Sequence, residues 1–320
     1  MNRLQLLLTP LVPLYAAALA SKNFGYDRHW ITPKRLEWPV ISVGSLSIGG
    51  AGKTPVVIRL AQLLRDAGCF VDVLSRGYGR ISKEVSRVDP EGSAAQFGDE
   101  PLLIARTGAP VYVAANRYEA GALAEREQSD AAIHLLDDGF QHRRLARDFD
   151  IVVLHRRDFE EHLLPAGRLR EPLSALKRAS ALILRAENHH FEAELRSRNI
   201  TAPIWIQHRR LVVESTSRAV AFCGIARPNE FFAALRANIE VAATSSYGDH
   251  RPYTGAGLDA LLQLRARHGA QSFITTEKDF VRLTPAQRAR LAPLHTARLE
   301  VLFENEAAIT AQLAGLLVRK

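Results

Sequence analysis

Cysteine is scarce in this sequence: among 320 residues, only Cys69 and Cys223 occur. Their wide separation excludes a disulfide framework and a paired-cysteine metal knuckle, and it indicates a reducing, cytosolic setting. Aromatic residues make up only 7% of the chain and do not cluster with basic residues. A stacking platform for single-stranded nucleic acid is therefore disfavoured, and we expect no nucleic-acid partner.

Lysine is also rare. The chain has seven lysines, so arginine carries nearly all of the positive side of a formal net charge of +8. The planar guanidinium group of arginine suits phosphate and carboxylate groups. Composition alone leaves two interpretations open. One is an arginine-rich coding bias, and the other is a basic surface for nucleic acid, an anionic membrane or a phosphorylated substrate.

Long apolar runs are limited to a single uncharged stretch, residues 4–20. This stretch contains Pro10 and Pro13, and it is short for a helix that crosses a bilayer. Three interpretations stay open: a helix on a membrane surface, a core helix, and a secretory signal with a small-residue cleavage site near Ala20. We favour the membrane-surface helix, with Arg3 and Lys22 assisting the contact.

From residue 40 onward, short β-branched runs alternate with helical stretches, a pattern typical of parallel sheets with helical crossovers. The predicted strands of the first part are 40–43, 70–74, 111–114, 132–136, 151–154, 181–184 and 204–207. After a polar stretch, strands are predicted at 219–224 and 271–275, and helices at 229–236 and from about residue 304. The sequence thus predicts an α/β fold with a first domain at 1–212, a smaller α/β domain at 213–320, and a linker near residue 210.

A glycine-rich loop follows the first predicted strand and reads Gly-Ser-Leu-Ser-Ile-Gly-Gly-Ala-Gly-Lys-Thr over residues 44–54. Its backbone N–H groups can surround an anion, in particular those of Gly49, Gly50, Ala51 and Gly52. Lys53 can reach the β- and γ-phosphates of a nucleotide, and the Thr54 hydroxyl can ligate Mg²⁺. Ser47 stands where the usual pattern has its first glycine. The loop predicts a P-loop NTPase-like, mostly parallel sheet flanked by helices.

Two adjacent aspartates, Asp137 and Asp138, end a later predicted strand just before Gly139. The carboxyl ends of strands form the ligand-binding edge of open α/β sheets. Because neighbouring residues on a strand point to opposite sides, we expect one of the two carboxylates to face Mg²⁺. A turn formed by Asp-Asp-Gly is the structural alternative.

Two loop motifs are less specific. Asp99 and Glu100 precede a predicted helix, where capping and catalysis are equally open. His250 follows Asp249 in a loop of the second domain and offers a carboxylate–imidazole unit, with an exposed turn as the alternative.

Together these motifs resemble those of the tetraacyldisaccharide 4′-kinases, the lipid A 4′-kinases of Gram-negative bacteria. The matching segments follow the family order over nearly the whole chain: 44–55, 75–80, 98–101, 116–117, 135–142, 164–172, 249–253 and 276–279. Ser45 stands where the family usually has Asn, and Arg251 stands where a second His is common. The second departure weakens any scheme that needs two adjacent histidines.

The resemblance implies ATP- and Mg²⁺-dependent transfer of the γ-phosphoryl group to the 4′-hydroxyl of an acylated glucosamine disaccharide 1-phosphate lipid, which gives lipid IVA. It also implies a peripheral protein on the cytoplasmic face of the bacterial inner membrane. Asp99 corresponds to the base, and His250 reaches it from the second domain. Lys53 and Asp138 complete the implied catalytic set, and Thr54, Glu100 and Asp138 are the implied metal ligands. The implied substrate-binding residues are Arg76, Tyr78, Arg117, Gln141, Arg170 and Glu171.

Two other protein classes compete with this interpretation. A partition or site-placement ATPase also has a phosphate loop that ends in Gly-Lys-Thr, but Ile48 occupies the position of its signature lysine. A non-catalytic nucleic-acid module would show salt-sensitive DNA binding without ATP turnover.

Overall fold

The computed structural model describes residues 7–49, 52–128, 130–214, 217–249 and 251–318. Its strands are β1 (Val40–Gly44), β2 (Phe70–Ser75), β3 (Ser86–Arg87), β4 (Val111–Val113), β5 (Ala132–Asp137), β6 (Phe149–Val153), β7 (Ala181–Arg185), β8 (Ile204–Val213), β9 (Ala219–Cys223), β10 (Val241–Ser246), β11 (Ser272–Thr276) and β12 (Leu294–Phe303).

The α-helices are α1 (Val12–Asp27), α2 (Lys53–Asp66), α3 (Ala94–Phe97), α4 (Asp99–Ala105), α5 (Arg117–Glu127), α6 (Phe191–Ser197), α7 (Pro228–Arg236), α8 (Gly255–His268), α9 (Glu277–Arg282), α10 (Pro285–Arg290) and α11 (Glu306–Ala314). Short 3₁₀ segments lie at Thr9–Leu11, Arg156–Phe159, Leu173–Arg178 and Ala186–Asn188.

All of these strands belong to one sheet, in the order β10-β9-β11-β12-β8-β7-β6-β1-β5-β2-β4-β3. Within the described residues, only the β8–β12 and β3–β4 pairs are antiparallel. The predicted class, a mostly parallel sheet flanked by helices, is confirmed. Each strand predicted in the first part of the chain is present, with ends shifted by a few residues at most except in β8.

The β8–β12 pair joins two blocks of parallel strands that run in opposite directions. One block contains β8, β7, β6, β1, β5, β2 and β4, with β3 added antiparallel at its edge, and the other contains β9 to β12. Arg185, the last residue of β7, pairs with Gln207 of β8. Thr276, the last residue of β11, pairs with Ala297 of β12, which in turn pairs with Val213 of β8. Six residues of extended chain, roughly 20 Å, therefore separate two carboxyl edges that face each other. A cleft lies between the blocks, and β8 crosses it.

The linker predicted near residue 210 is wrong, because Arg210 lies inside β8 and pairs with Glu300 of β12. Every second side chain of this strand faces the cleft, so β8 contains charged residues. A charged stretch of this kind is typical of a linker, which explains the wrong prediction. The predicted boundary at 212/213 falls at the end of β8, and the division into two domains stays a prediction.

Helix α2 fixes the loop that precedes it, because its buried face is locked into the core. Val56, Leu60 and Leu64 are fully buried at the spacing of one helical face. Leu313 of α11 belongs to the same apolar cluster, and the guanidinium Nε of Arg59 on α2 donates to Glu306 of α11 over 2.8 Å. The C-terminal helix thus returns to support the phosphate-loop helix.

Candidate active site

The loop between β1 and α2 is held by a second segment, residues 168–170. The backbone N–H of Ile48 donates to the carbonyl of Arg168 over 2.9 Å, and the N–H of Arg170 donates to the carbonyl of Leu46 over 2.7 Å. Gly49 and Gly52 have φ values of 70° and 79°, which side chains disfavour. The loop is therefore a preformed, glycine-dependent turn at a helix N-terminus. Gly50 and Ala51 lie outside the described residues.

Three charged side chains meet beside this loop. The carboxylate of Asp138 accepts hydrogen bonds from both terminal nitrogens of Arg170, over 2.8 and 2.7 Å. The Nζ atom of Lys53 lies 3.3 Å from the same carboxylate and 3.2 Å from the Ser45 hydroxyl. Burial acts against the charged carboxylate, but Lys53 and Arg170 hold the pKa of Asp138 well below its usual range. Asp138 therefore stays ionised at physiological pH.

The preceding carboxylate, Asp137, has the opposite environment. It is buried, and it accepts a hydrogen bond from the Ser75 hydroxyl over 3.4 Å. Burial first, and then repulsion from Glu100 and Asp138, raises the pKa of Asp137 to about 7. The two adjacent aspartates thus have pKa values shifted in opposite directions. Asp138 follows the last residue of β5 and has a φ of 53°, so the expected alternation along a strand does not apply to this pair.

A cavity of about 1340 Å³ opens between the two blocks. The predicted site residues that line it are Gly49, Gly52, Lys53, Thr54, Arg76, Tyr78, Glu100, Arg117, Asp138, Gln141 and Arg170. Most of them follow the carboxyl ends of β1, β2, β4 and β5, which are neighbours in the sheet, whereas Glu100 lies on α4 and Arg170 lies in the segment after β6. The structure therefore brings most of the predicted site together.

Two predicted residues lie away from the cavity lining. Asp99 is buried, with its carboxylate 3.9 Å from the Nε of Arg282. Glu171 is also buried and accepts hydrogen bonds from Arg178 and Asn23, over 2.9 and 3.3 Å. Their catalytic and substrate-binding roles stay predictions. His250 lies outside the described residues, so its predicted pairing with Asp99 also stays a prediction.

The second block reaches the first through α9. The Nζ atom of Lys278 lies 3.2 Å from Glu100 of α4 and 3.5 Å from Asp249. Lys278 belongs to the Thr-Glu-Lys-Asp segment at the end of β11, and the sequence analysis did not place it in the site. Its position directly after a predicted strand was the signal available.

Asp279 organises the end of the second block that faces the cleft. Its carboxylate accepts hydrogen bonds from the Tyr253 hydroxyl over 2.8 Å, the Gly224 N–H over 2.9 Å and a guanidinium nitrogen of Arg282 over 2.8 Å. Arg282 in turn donates to the backbone carbonyl of Arg251. One buried carboxylate therefore holds Tyr253 directly and Arg251 through Arg282, whose Nε lies 3.9 Å from Asp99.

Several buried polar atoms that face this region have no hydrogen-bond partner among the described residues. They are Arg117 Nε, Asp137 Oδ1, Gln141 Oε1, His142 Nε2 and Arg170 Nε. Leaving such groups unsatisfied costs about 1–3 kcal/mol each. Their concentration at one place is typical of a functional site rather than of a core.

A group of arginines on the β7–β8 side was not predicted from the sequence. A Cβ atom on Gly52 would lie only 2.3 Å from a guanidinium nitrogen of Arg209, so this side chain packs directly against the loop. Burial, and then the neighbouring Arg185, lowers the pKa of Arg209 to about 9. Arg185 and Arg227 both contact Glu230, at 3.3 and 3.5 Å. These arginines belong to none of the motifs found in the sequence. Arg209, for example, lies in the middle of strand β8.

Within the parts of the chain that the structure describes, no group of three or more His, Cys, Asp or Glu residues is arranged for a metal ion. Mg²⁺ usually takes one or two protein ligands and completes its shell with phosphates and water. Thr54 and Asp138, both lining the cavity beside the phosphate loop, fit that requirement.

Helix α1 contacts the site on one side and exposes apolar residues on the other. The Tyr15 hydroxyl donates to the carbonyl of Arg170 over 2.9 Å. Leu7 and Leu11, just before α1, and Leu14 within it are 76%, 48% and 71% exposed, and the buried residues of α1 are Gly25 and Tyr26. The core-helix alternative is therefore wrong. Across the described residues, no helix has both the length and the apolar content needed to span a bilayer.

The phosphate-loop unit, the ionised Asp138 with its two cations and the cleft between facing strand ends define a phosphotransferase of the P-loop NTPase-like class. A sequence model of the family described as tetraacyldisaccharide-1-P 4′-kinase matches residues 4–318. The chain belongs to this family, as the motifs predicted.

Individual relatives agree with the family match. The tetraacyldisaccharide 4′-kinase of Koribacter versatilis is 40% identical over 98% of this chain and 99% of its own. That of Aeromonas salmonicida is 39% identical over 86% of this chain and 83% of its own. The crystal structure of LpxK from Aquifex aeolicus in complex with ATP has a TM-score of 0.79 and 31% identity, and it covers 98% of this chain and 99% of the Aquifex chain.

Proposed function

We propose that the protein is an ATP- and Mg²⁺-dependent kinase that phosphorylates the 4′-hydroxyl of a tetraacylated glucosamine disaccharide 1-phosphate and so forms lipid IVA in lipid A biosynthesis. The observation that carries the proposal is the convergence of Lys53 and Arg170 on Asp138 beside a preformed phosphate loop. The full-length relatives with this named activity support the choice of acceptor.

The nucleotide binds at the β1 side of the cavity. Lys53 and the N–H groups at the start of α2 bind its phosphates, and Arg209, which packs against Gly52, adds positive charge behind them. Mg²⁺, when bound, neutralises charge on the β- and γ-phosphates. Thr54 and Asp138 are its proposed ligands. Glu100, the third predicted ligand, contacts Lys278 and joins them only by exchanging that partner.

The acceptor sugar lies on the β5–β2–β4 side. Arg76, Tyr78, Arg117 and Gln141 line the cavity there and are its proposed contacts. Gln141 is oriented by a hydrogen bond to the carbonyl of Ser45, over 3.1 Å. Glu171 acts as a support for α1 rather than as a direct contact, because Asn23 of α1 donates to it.

Asp99 is the proposed base that accepts the proton of the 4′-hydroxyl. In this structure it is buried beside Arg282, so the second block must shift for Asp99 to reach the acceptor. His250 is the residue proposed to orient Asp99 after that shift.

Leu7 and Leu11, just before α1, and Leu14 within it are exposed, and we propose that they bind the cytoplasmic surface of the inner membrane, where the acyl chains of the acceptor are anchored. The contact of Tyr15 with the backbone of Arg170 joins this surface helix to the site. The membrane is thus bound by the same element that borders the catalytic segment.

The test is transfer of label from γ-labelled ATP to the purified disaccharide lipid, with and without Mg²⁺. We expect a labelled lipid only with Mg²⁺, and a loss of about 10² or more in rate for Lys53→Ala, because this side chain acts on phosphate charge. Lys177→Ala, a change outside the cavity lining, is the matched control. Normal transfer by Lys53→Ala would overturn the proposed phosphate site.

A further inference from the structure

The cations around the cavity differ on the two sides of β1. On the β7–β8 side, Arg185 and Arg227 share the carboxylate of Glu230. On the other side, Lys22 and Arg144 line the cavity, and neither has an acidic partner in the parts of the chain that are described. Within the described residues, the charges of Lys22 and Arg144 are therefore not balanced by a paired carboxylate.

Lys22 and Arg144 act on the same buried ring. Burial, and then the charges of Arg117, Arg147, Arg144 and Lys22, lowers the pKa of His142 to about 4. The imidazole is consequently neutral at physiological pH. Of these cations, Arg147 is already paired with Asp150, at 2.9 Å. The remaining positive potential at this corner can be balanced by an anionic ligand.

The orientation of α1 directs Lys22 into the cavity. The guanidinium of Arg143 contacts Asp27 over 2.7 Å and lies over the ring of Tyr26, 4.9 Å from its centroid. These contacts fix the end of α1 against the segment that follows β5. Lys22 and Tyr26 are one helical turn apart and so share a face, and both line the cavity.

We propose that Lys22 and Arg144 form a second anion subsite, which binds the phosphate at position 1 of the acceptor while its 4′-hydroxyl reaches the centre formed by Lys53 and Asp138. The inference rests on the proposed function. The family description names an acceptor with a phosphate at position 1, and that phosphate is a ligand distinct from those of the nucleotide. An anionic membrane headgroup has the same chemistry, but these two cations line the cavity rather than the exposed leucine surface.

The experiment compares two acceptors in neutral detergent micelles: the disaccharide 1-phosphate lipid and the same lipid with a free hydroxyl at position 1. Lys22→Ala and Arg144→Ala should each raise the KM for the phosphorylated acceptor about tenfold, the loss expected for a charge-assisted hydrogen bond. The kcat and the KM for ATP should stay unchanged, and Arg144→Lys should recover part of the loss. Neither alanine variant should differ from wild type on the acceptor without the phosphate.

Arg28→Ala is the matched control, because Arg28 follows the same helix but does not line the cavity. Equal losses on both acceptors, or an unchanged KM, would overturn the subsite. So would weaker binding to phosphatidylglycerol vesicles with unchanged discrimination between acceptors, since the cations would then serve the membrane. Equilibrium binding of both acceptors without ATP gives the same comparison independently of turnover. A wild-type protein that binds but phosphorylates neither acceptor would count against the proposed function alone.

Discussion

At the residue scale, the site is organised by two neighbouring carboxylates in opposite environments. Asp138 is shared by Lys53 and Arg170, and these cations keep it ionised. Asp137, one position earlier on β5, is buried near Glu100 and has a raised pKa. Because the two pKa values differ, one carboxylate can stay ionised to bind a metal ion while the neighbouring carboxyl group carries a proton.

Asp137 predicts a pH dependence of stability. Its pKa is 3.8 in the absence of the fold and about 7 within it, so between these values the folded protein binds more protons than the unfolded chain. The free energy of unfolding therefore falls as the pH rises through this window and levels off above it. We expect Asp137→Asn to raise the melting temperature at pH 8 by roughly 3 °C or more.

The advantage of this variant should shrink as the pH is lowered toward 4, which a thermal-melt series in matched buffers measures. Asp66→Asn, a change of an exposed carboxylate at the end of α2, should leave the melting temperature unchanged across the pH series. A variant less stable than wild type at pH 8 would show that the charged form of Asp137 is stabilised in the fold.

The base and the metal ligand are separable by variants of the Asp99-Glu100 pair. Asp99→Asn should lower kcat by about 10² or more with little change in the KM for ATP, because a general base acts on the chemical step. The loss caused by Glu100→Gln should be partly restored by raised Mg²⁺ concentrations, whereas that of Asp99→Asn should not. Steady-state kinetics at several Mg²⁺ concentrations distinguish the two. Restoration of Asp99→Asn by Mg²⁺ would exchange the two roles.

At the element scale, two segments set the function: α1 and β8. Helix α1 joins the exposed leucines at its start to the segment that holds Asp138 and the phosphate loop. Strand β8 carries Arg209 into the cleft while pairing with both blocks. Each element thus supplies a structural connection and a functional side chain.

The apolar surface of α1 predicts reversible membrane binding. Replacing Leu7, Leu11 and Leu14 together by Ser removes carbon groups that would insert into the membrane. Each inserted methylene contributes about 0.8 kcal/mol to membrane binding. We expect at least tenfold weaker flotation with anionic vesicles and slower turnover of the lipid, with ATP binding unchanged. Ile81→Ser, a change of an exposed apolar residue elsewhere, is the control. Unchanged flotation would show that another surface binds the membrane.

The elements differ in how well the sequence predicts them. Buried parallel strands such as β1 and β5 are continuous apolar runs, so they were predictable, and so was the loop after β1. Strand β12 and the second half of β8 were missed because their residues alternate between cleft and solvent and include charged side chains such as Arg209 and Glu300. Strand β10 was also missed, because its residues are mostly small or polar and only half-buried, so they form no apolar run.

The site shows the same division. Residues next to a strand end or a glycine motif, such as Lys53 and Asp138, were predictable from the sequence alone. His142 and Lys278 lie in the matching segments 135–142 and 276–279, but their place in the site depends on which strands are neighbours. Arg209 lies in no motif, and its position at the cleft depends on the reversal at β8–β12, which arises only when distant segments pair.

At the scale of the whole molecule, the reversal between the blocks makes one cleft from two carboxyl edges. The first block supplies the phosphate loop and the acidic residues, and the second supplies Lys278 and Arg282 opposite them. Positive charge flanks the centre on both sides, compensated by Glu230 on one side only. A nucleotide and an anionic lipid can therefore enter from opposite flanks and meet at Asp138.

The central claim is that this cleft transfers the γ-phosphoryl group to one particular hydroxyl of the acceptor. The direct measurement is ³¹P–¹H correlation NMR of the lipid product formed by the purified enzyme with ATP and Mg²⁺. The account predicts one new phosphomonoester coupled to the proton on C4′, with the phosphate at position 1 retained. A new phosphate coupled to any other ring proton, or ATP consumption with no new phosphomonoester, would contradict it.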